Sequence, residues 1–362
     1  MRASLFIASS ALVVMLWAVP NAGTAPFIAS AAAQEFGLAA PSPRPTPNTS
    51  LEPEAEVVRV ETNLVNTLFT ATDQANDGRH FITSLRATDI AIFENDVAQT
   101  ISLFERETDR PLSLALLIDT SDSQRGVLRD EKHAADAFVD SVIRPEKDQA
   151  AVVSFTGVPK VEQEPTNDLP KLHHGIARVK IEISPENERR IANGDAPLPK
   201  EQDPSGYTGI WDAAWTTIED LLSHTPEGTR RAIVLLSDGD DTSSTIKRQE
   251  VIDFAVKSDV AIYSIGFRDR DFPEGKLDSG SLRKVSDRTG GRAFFPTQPG
   301  ELQASFAQID QELRSQYLIG YSPTNKNRDG SYRRIRIEVI NQELRQNKPQ
   351  LLYRQGYYAK RP

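Results

Sequence analysis

The alternation of apolar and polar positions divides the chain into three unlike stretches. In the first, short mixed runs predict strands: Val57–Val60, Leu64–Phe69, Ile90–Phe93 and Thr100–Phe104. Asp77-Gly78 marks a turn, and Glu94-Asn-Asp96 reads as the turn of a hairpin between the last two strands. No helix-length pattern occurs here. From Pro111 the period changes, and strands alternate with helices. Leu112–Ile118, Gln149–Phe155, Arg231–Ser237 and Val260–Phe267 are nearly continuous apolar runs, as expected of strands buried on both faces of a parallel sheet. Between them, Val127, Ala134, Ala135, Phe138, Val142 and Ile143 recur at helical spacing, as do Trp211, Ala214, Trp215, Ile218, Leu221 and Leu222. Further helices are expected over Asp168–Lys180, Ile246–Lys257, Leu282–Thr289 and Glu301–Arg314, with a short strand over Gly290–Phe295. Such alternation predicts a doubly wound, mostly parallel α/β sheet with helices on both faces.

The last stretch returns to β. Gln316–Tyr321, Tyr332–Ile340 and Leu351–Arg354 are predicted strands, and Asn327–Gly330 is a turn. Arg334, Arg336 and Glu338 alternate with Ile335, Ile337 and Val339, which gives one buried and one wet face. Neither β segment has enough strands to stand alone. The expected arrangement is therefore an α/β domain (108–315) inserted in a smaller antiparallel β-sandwich, formed by residues 56–107 pairing with 316–360.

Ahead of all this, Arg2 precedes an apolar run over Ser4–Val19, then Pro20 and small residues ending Ser30-Ala-Ala-Ala33. That order predicts a secretory signal peptide over residues 1–33, cut after Ala33, and so an exported protein, periplasmic or secreted. An uncleaved anchor is the competing reading, but the run is near the lower limit for spanning a bilayer. Residues 34–55, with Pro41, Pro43, Pro45, Pro47 and Pro53, read as an extended linker. The formal net charge of −9 disfavours general binding to nucleic acid or anionic lipid. With no cysteine, there are no disulfides, thiolate metal sites or thiol nucleophile.

The chemistry gathers where strands end. Asp119-Thr-Ser-Asp-Ser123 follows the first buried strand at once, and Asp238 closes the third. Thr208, in Gly206-Tyr-Thr-Gly209, opens the tryptophan-bearing helix. Ligands of open α/β sheets sit beyond the carboxyl ends of strands. Oxygen-only donors of this kind, two acidic and three neutral, suit Mg²⁺, with Mn²⁺ or Ca²⁺ possible. A cation with few bound carboxylates stays electrophilic and can accept one from another molecule.

At these residues the chain resembles the von Willebrand factor type A domain and its metal-ion-dependent adhesion site. The matching positions are Asp119, Ser121, Ser123, Thr208 and Asp238. The resemblance implies that the serines, and often the threonine, touch the metal directly, while the aspartates act partly through water. It also implies a protein partner that presents a carboxylate. The wider layout is similar to exported bacterial type A-related proteins, through Phe93-Glu-Asn-Asp96, Thr289-Gly-Gly-Arg-Ala-Phe-Phe295, Arg314-Ser-Gln-Tyr317 and Gly320-Tyr-Ser-Pro323. One departure stands out: Asp122 occupies a position that is often glycine, where it tolerates a left-handed turn; its carboxylate could tighten cation binding but would also repel an acidic ligand.

Other polar groups read as structural. Asp240 and Asp241 suit a solvated turn and cap, and His173-His174 a solvated surface. The Asp238–Gln249 window is not an EF-hand, having Ser243 and Gln249 where Gly and Glu belong. Trp211 and Trp215 are read as core. No nucleophile elbow, zinc-protease, phosphate-loop or dinucleotide motif occurs, which argues for a binding module and against an enzyme. A metal-free scaffold is the other alternative. The polar stretch from Ile181 to Pro204, broken by Pro185, Pro197, Pro199 and Pro204, reads as a long loop ending beside the metal, placed to select a partner.

Overall fold

The computed structural model describes residues 64–361 except 74–79, 107–108, 197, 199–201, 204–206 and 268–276. The expected signal peptide, linker and Val57–Val60 strand lie outside the described residues. The first stretch forms β1 (Val65–Asp73), β2 (His80–Phe81), β3 (Ile90–Glu94), β4 (Val97–Gln99) and β5 (Ile101–Arg106). The middle begins with β6 (Leu112–Asp119), α1 (Leu128–Val142), β7 (Gln149–Phe155) and β8 (Pro159–Thr166). After α2 (Leu169–Arg178) and α3 (Pro185–Ala192) comes α4 (Ile210–Thr216), extended by a π-helical turn over Thr217–Leu222. Next are β9 (Arg230–Leu236), α5 (Arg248–Lys257), β10 (Val260–Ile265), α6 (Ser279–Thr289), β11 (Ala293–Phe294) and α7 (Pro299–Arg314). The tail adds β12 (Tyr317–Tyr321), β13 (Tyr332–Val339), α8 (Gln342–Gln346), β14 (Gln350–Tyr353) and β15 (Gly356–Tyr358).

The apolar runs pair as their composition demands. The central sheet has the order β11-β10-β9-β6-β7-β8, parallel throughout except for β8. Every residue of β6 is buried. Its side chains alternate between two cores: Leu114, Leu116 and Ile118 pack with α1 and α7, and Ala115 and Leu117 with α4, α5 and α6. This is the doubly wound α/β sheet expected from the sequence. The chain winds outward from β6 on one side and from β9 on the other, so a crevice opens between the carboxyl ends of these two strands.

Strand β8 was not expected. Pro159 and Pro165 argue against a central strand, but an edge strand tolerates both. Its Glu162 points inward and is buried, accepting a bond from Ser154 Oγ at 2.9 Å and pairing with Lys160 at 2.8 Å. A buried charge of this kind discourages edge-to-edge pairing. Helix α3 likewise corrects the loop expected over 181–204. Ser184 Oγ accepts the Asn187 N–H at 3.2 Å, and Pro185 starts the helix, so a capped turn forms inside a stretch with no apolar period. Asn187 is buried, bonding to Asp203 and accepting the Leu198 N–H at 2.6 Å, which folds the segment onto itself.

The flanking strands form two antiparallel sheets, one ordered β14-β1-β12-β5 with β2 beside β1, the other β15-β13-β3-β4. Each takes strands from both ends of the chain: β1 lies between β12 and β14, and β3 pairs with β13. One apolar cluster joins them, with Phe69, Tyr317 and Ile319 from the first sheet and Ile92, Ile335 and Ile337 from the second. The hairpin expected between 90–93 and 100–104 is different in detail. Asn95 and Asp96, with φ of 46° and 69°, turn β3 back into the short β4 alone. Gln99 is then caught by Thr324, donating to its hydroxyl at 3.1 Å and accepting its N–H at 2.9 Å, and β5 crosses to pair with β12.

A buried ion pair ties these ends together. Arg333 on β13 and Glu94 on β3 meet at 3.1 Å with side chains 2% exposed. The Tyr321 and Tyr357 hydroxyls donate to the same carboxylate at 3.0 and 2.8 Å. Removing one partner would leave the other charge buried and unpaired. Arg333→Met should therefore destabilise the β module by about 3–5 kcal/mol, read as a lower thermal midpoint. An unchanged midpoint would show the pair to be dispensable.

Candidate metal centre

Asp119 ends β6 with no exposed surface. A carboxylate so placed needs donors, and two are supplied. The Ser121 N–H donates to Oδ1 at 2.9 Å and the Ser237 hydroxyl to Oδ2 at 2.7 Å. Those bonds bend the chain so that Ser121 Oγ and Ser123 Oγ stand 3.1 Å apart, both buried. Gln124, wholly buried, donates to Ser123 Oγ at 3.3 Å. Asp122 starts the 3₁₀ turn over Asp122–Gln124 with negative φ, so no left-handed residue is used there and the glycine of other chains is not required. Its carboxylate faces outward and pairs with Arg125 at 2.5 Å.

The other two predicted residues arrive on neighbouring loops. Asp238 follows β9 and is buried; its Oδ1 accepts the Asp240 N–H at 3.1 Å. Gly239 makes the turn possible: its φ is +83°, and a Cβ there would lie 2.9 Å from the Asp278 carbonyl. Thr208, also buried, is pinned to the loop that follows Asp238. Its N–H donates to Thr242 Oγ1 at 2.8 Å, and its carbonyl accepts from Thr242 and Ser243. Next to it, the Gly209 N–H donates to the Thr156 carbonyl at 2.7 Å, just past β7.

The helix that follows is capped from outside. Asp241 Oδ1 accepts the Ile210 N–H at 2.9 Å and Ser244 Oγ accepts that of Trp211 at 3.0 Å. Asp212 in return accepts the N–H groups of Thr245 and Ile246 at 3.0 and 2.8 Å. Asp241 is thus a cap, as expected, but half-buried and serving the preceding helix, with its carboxyl pushed up by burial.

The electrostatics of the cluster are unbalanced toward negative charge. Burial, then the charge of Asp238, pushes the Asp119 carboxyl up to about 7, against the bonds from Ser121 and Ser237. A third acid lies nearby. Glu131 on α1 has no exposed surface, and neither oxygen has a donor. Burial and then the charges of Asp119 and Asp238 push it up to about 8. Gln124 Oε1 is also buried without a donor. Orphaned acceptors beside clustered carboxylates are what a divalent cation relieves, so the residues present fit one.

Sequence reading had missed Glu131, Gln124 and Ser237. One signal was available for Glu131: it falls on the apolar stripe of α1, four positions after Val127 and three before Ala134. Among the described residues, no group of three or more His, Asp or Glu side chains is arranged to hold a metal by itself. The Ser121 and Ser123 hydroxyls stand side by side as further oxygen donors. His173, read as solvated, instead bridges Asp136 and Asp140 at 2.9 and 2.8 Å on the surface of α2, and the Asp136 bond raises its basicity.

A family model for the von Willebrand factor type A domain matches residues 113–308, more than half of the chain. The chain belongs to that family. Type A domains commonly mediate protein interactions, often with a divalent cation, and are generally not enzymes. Among curated proteins nothing matches the chain. Solved structures similar to it include the conserved hypothetical protein BatB from Bacteroides thetaiotaomicron, at 16% identity and a TM-score of 0.40, covering 56% of this chain and 98% of that one. A von Willebrand factor type A protein from Catenulispora acidiphila aligns at 12% identity and a TM-score of 0.45, covering 76% of this chain and 74% of that one. Proximal thread matrix protein 1 of the mussel byssus, described with a zinc-occupied MIDAS motif, aligns at 15% identity and 0.45 over 59% of this chain, which spans 49% of its length.

The buried acid cluster carries a pH signature. Glu131 has its folded pKa raised from 4.5 to about 8. In that window the unfolded chain has released a proton that the folded chain retains, so stability falls as pH rises. With chelator present, the thermal midpoint should drop between pH 5 and pH 8. Glu131→Gln should flatten that slope and raise the midpoint at pH 8, at about 2–4 °C per kcal/mol for a domain this size. Scanning calorimetry in EDTA checks it; a slope equal to that of the wild type would show that Glu131 does not contribute.

Proposed function

We propose that this protein is an exported, metal-ion-dependent binding module. Asp119, Ser121, Ser123, Thr208 and Asp238 would hold Mg²⁺, with Mn²⁺ or Ca²⁺ as substitutes, and a carboxylate of a partner protein would complete the shell. The observation that carries this reading is the buried Asp119 turn. It aligns two hydroxyls beside a cluster of buried acids, at the switch point of a type A sheet. A cation held mainly by hydroxyls keeps the Lewis acidity needed to take up an external carboxylate. The orphaned acceptors favour this over a metal-free scaffold. An enzyme is disfavoured because the serine hydroxyls bond to each other and to Gln124 rather than to a base.

Export rests on the signal-like residues 1–33. Among the described residues no helix is long and apolar enough to cross a membrane. We read the two antiparallel sheets as one β-sandwich, built from residues 56–107 and 316–360, that carries the type A domain (108–315) as an insertion.

Asp119→Ala and Asp238→Ala should each abolish Mg²⁺ and Mn²⁺ binding in calorimetry, while the chelated variants keep the wild-type circular dichroism. Retained affinity in both would remove the site. The segment before Thr208 supports a second expectation. The Glu182 N–H donates to the Thr120 carbonyl at 3.0 Å, and Thr156 Oγ1 donates to the Glu182 carboxylate at 2.9 Å, so the segment starts beside the site as well as ending there. Replacing residues 184–203 with a Gly/Ser linker should abolish capture of a partner from the native envelope yet preserve cation affinity. Undiminished capture would leave α3 without a part in recognition.

A further inference from the structure

An open groove of about 530 Å³ runs between α1 and the carboxyl end of α2. Leu128 and Val179 contribute to its lining, together with Arg125, Arg129, Lys132, His133 and Lys180. The chain as a whole carries 51 acidic against 42 basic side chains, so four Lys and Arg residues in one groove reverse the local balance. Its single acid, Asp136, already accepts a bond from His173 at 2.9 Å.

One lysine bridges the two walls of the groove. Lys132 Nζ donates to the carbonyls of Ala177 and Val179 at 2.8 and 2.6 Å, lacing α1 to the end of α2. Arg129 and Lys180 are exposed on the walls. Arg125 pairs with Asp122, but both are about half exposed, at 51% and 50%, so that pair gives way to a competing carboxylate at little cost. The groove's lining connects to the candidate cation site along the chain. Arg125 stands two residues after Ser123, and the chain leaving Lys180 and Ile181 reaches Thr120 through the Glu182 bond.

We propose that this groove seats an acidic segment of the partner protein, alongside the carboxylate that completes the cation site. The inference rests on the proposed function and deepens it: one carboxylate meets the cation, and neighbouring ones lie along Arg129 and Lys180. Charges so arranged steer encounter and fix the register of an extended acidic peptide. An extended polyanion such as nucleic acid is disfavoured, because beyond the groove it would meet a net negative surface.

The test uses the full chain and a fluorescent Asp-Gly repeat peptide, with an Asn-Gly repeat as control. In EDTA at low ionic strength, the wild type should bind the acidic peptide and not the control, and added salt should weaken binding. Arg129→Glu with Lys180→Glu should lower that affinity about tenfold or more, while Mg²⁺ affinity stays the same or rises, since positive charge near the site is removed. Ser121→Ala with Ser123→Ala should keep binding in EDTA and lose only the gain that Mg²⁺ adds. Equal peptide binding by wild type and the charge-reversed variant overturns the groove. So does displacement by a heparin oligosaccharide at far lower concentration than by free acidic peptide. If instead the serine variant retains Mg²⁺ affinity, the cation reading fails while the groove stands.

Discussion

Asp119 is a carboxylate with no exposed surface, at the end of a strand whose every residue is buried. In such a place charge is tolerated only when donors or a counter-ion meet it. Much of the rim follows from that requirement. The Ser121 amide and the Ser237 hydroxyl are spent on its two oxygens, and the first of these bonds sets the turn that brings Ser123 alongside. Asp238 approaches from β9 and adds repulsion, and the positive φ of Gly239 turns the chain just beyond it. Glu131 on α1 adds a third buried acid. The fold thus concentrates acid where the strand order reverses, the imbalance that the proposed cation would offset.

The rim is also rigid before anything binds. Loop and helix cap each other reciprocally: Asp241 and Ser244 close the start of α4, and Asp212 closes the loop that carries them. Thr208 lies between, held by Thr242. A site whose side chains are fixed by bonds to each other loses little entropy on binding.

How much of this was visible in the sequence differs by element. Strands β6, β7, β9 and β10 were plain because burial on both faces leaves little room for polar residues, and the strand–helix alternation then dictated the doubly wound sheet. Strand β8 was hidden because an edge strand faces solvent and tolerates proline. Helix α3 and the short α8 and β15 carry too few apolar residues to show a period; α3 depends on a cap and on contacts of Asn187 far along the chain. At the candidate site, the spacing of Asp119, Ser121 and Ser123 on one tight turn was legible because their neighbourhood is local. Glu131 and Ser237 were not, since their significance comes from which strand ends the sheet brings together. The hairpin after Ile90 was misjudged in extent, because a single side chain, Gln99, decides where the chain leaves one sheet for the other.

The interleaving of the flanking strands sets the order in which the chain can fold. Strand β1 has its partners β12 and β14 more than two hundred residues away, and β3 waits for β13. The type A sheet, by contrast, closes on partners within its own stretch. During synthesis the central domain can therefore collapse first, while β1, β3 and β5 remain without their long-range partners. Those strands are unguarded edges for as long as the type A domain and the tail take to appear. Because β5 and β12 pair side by side, completion of the domain between them delivers the tail directly to the waiting strands. The type A segment between β5 and β12 thus brings strands distant in sequence side by side.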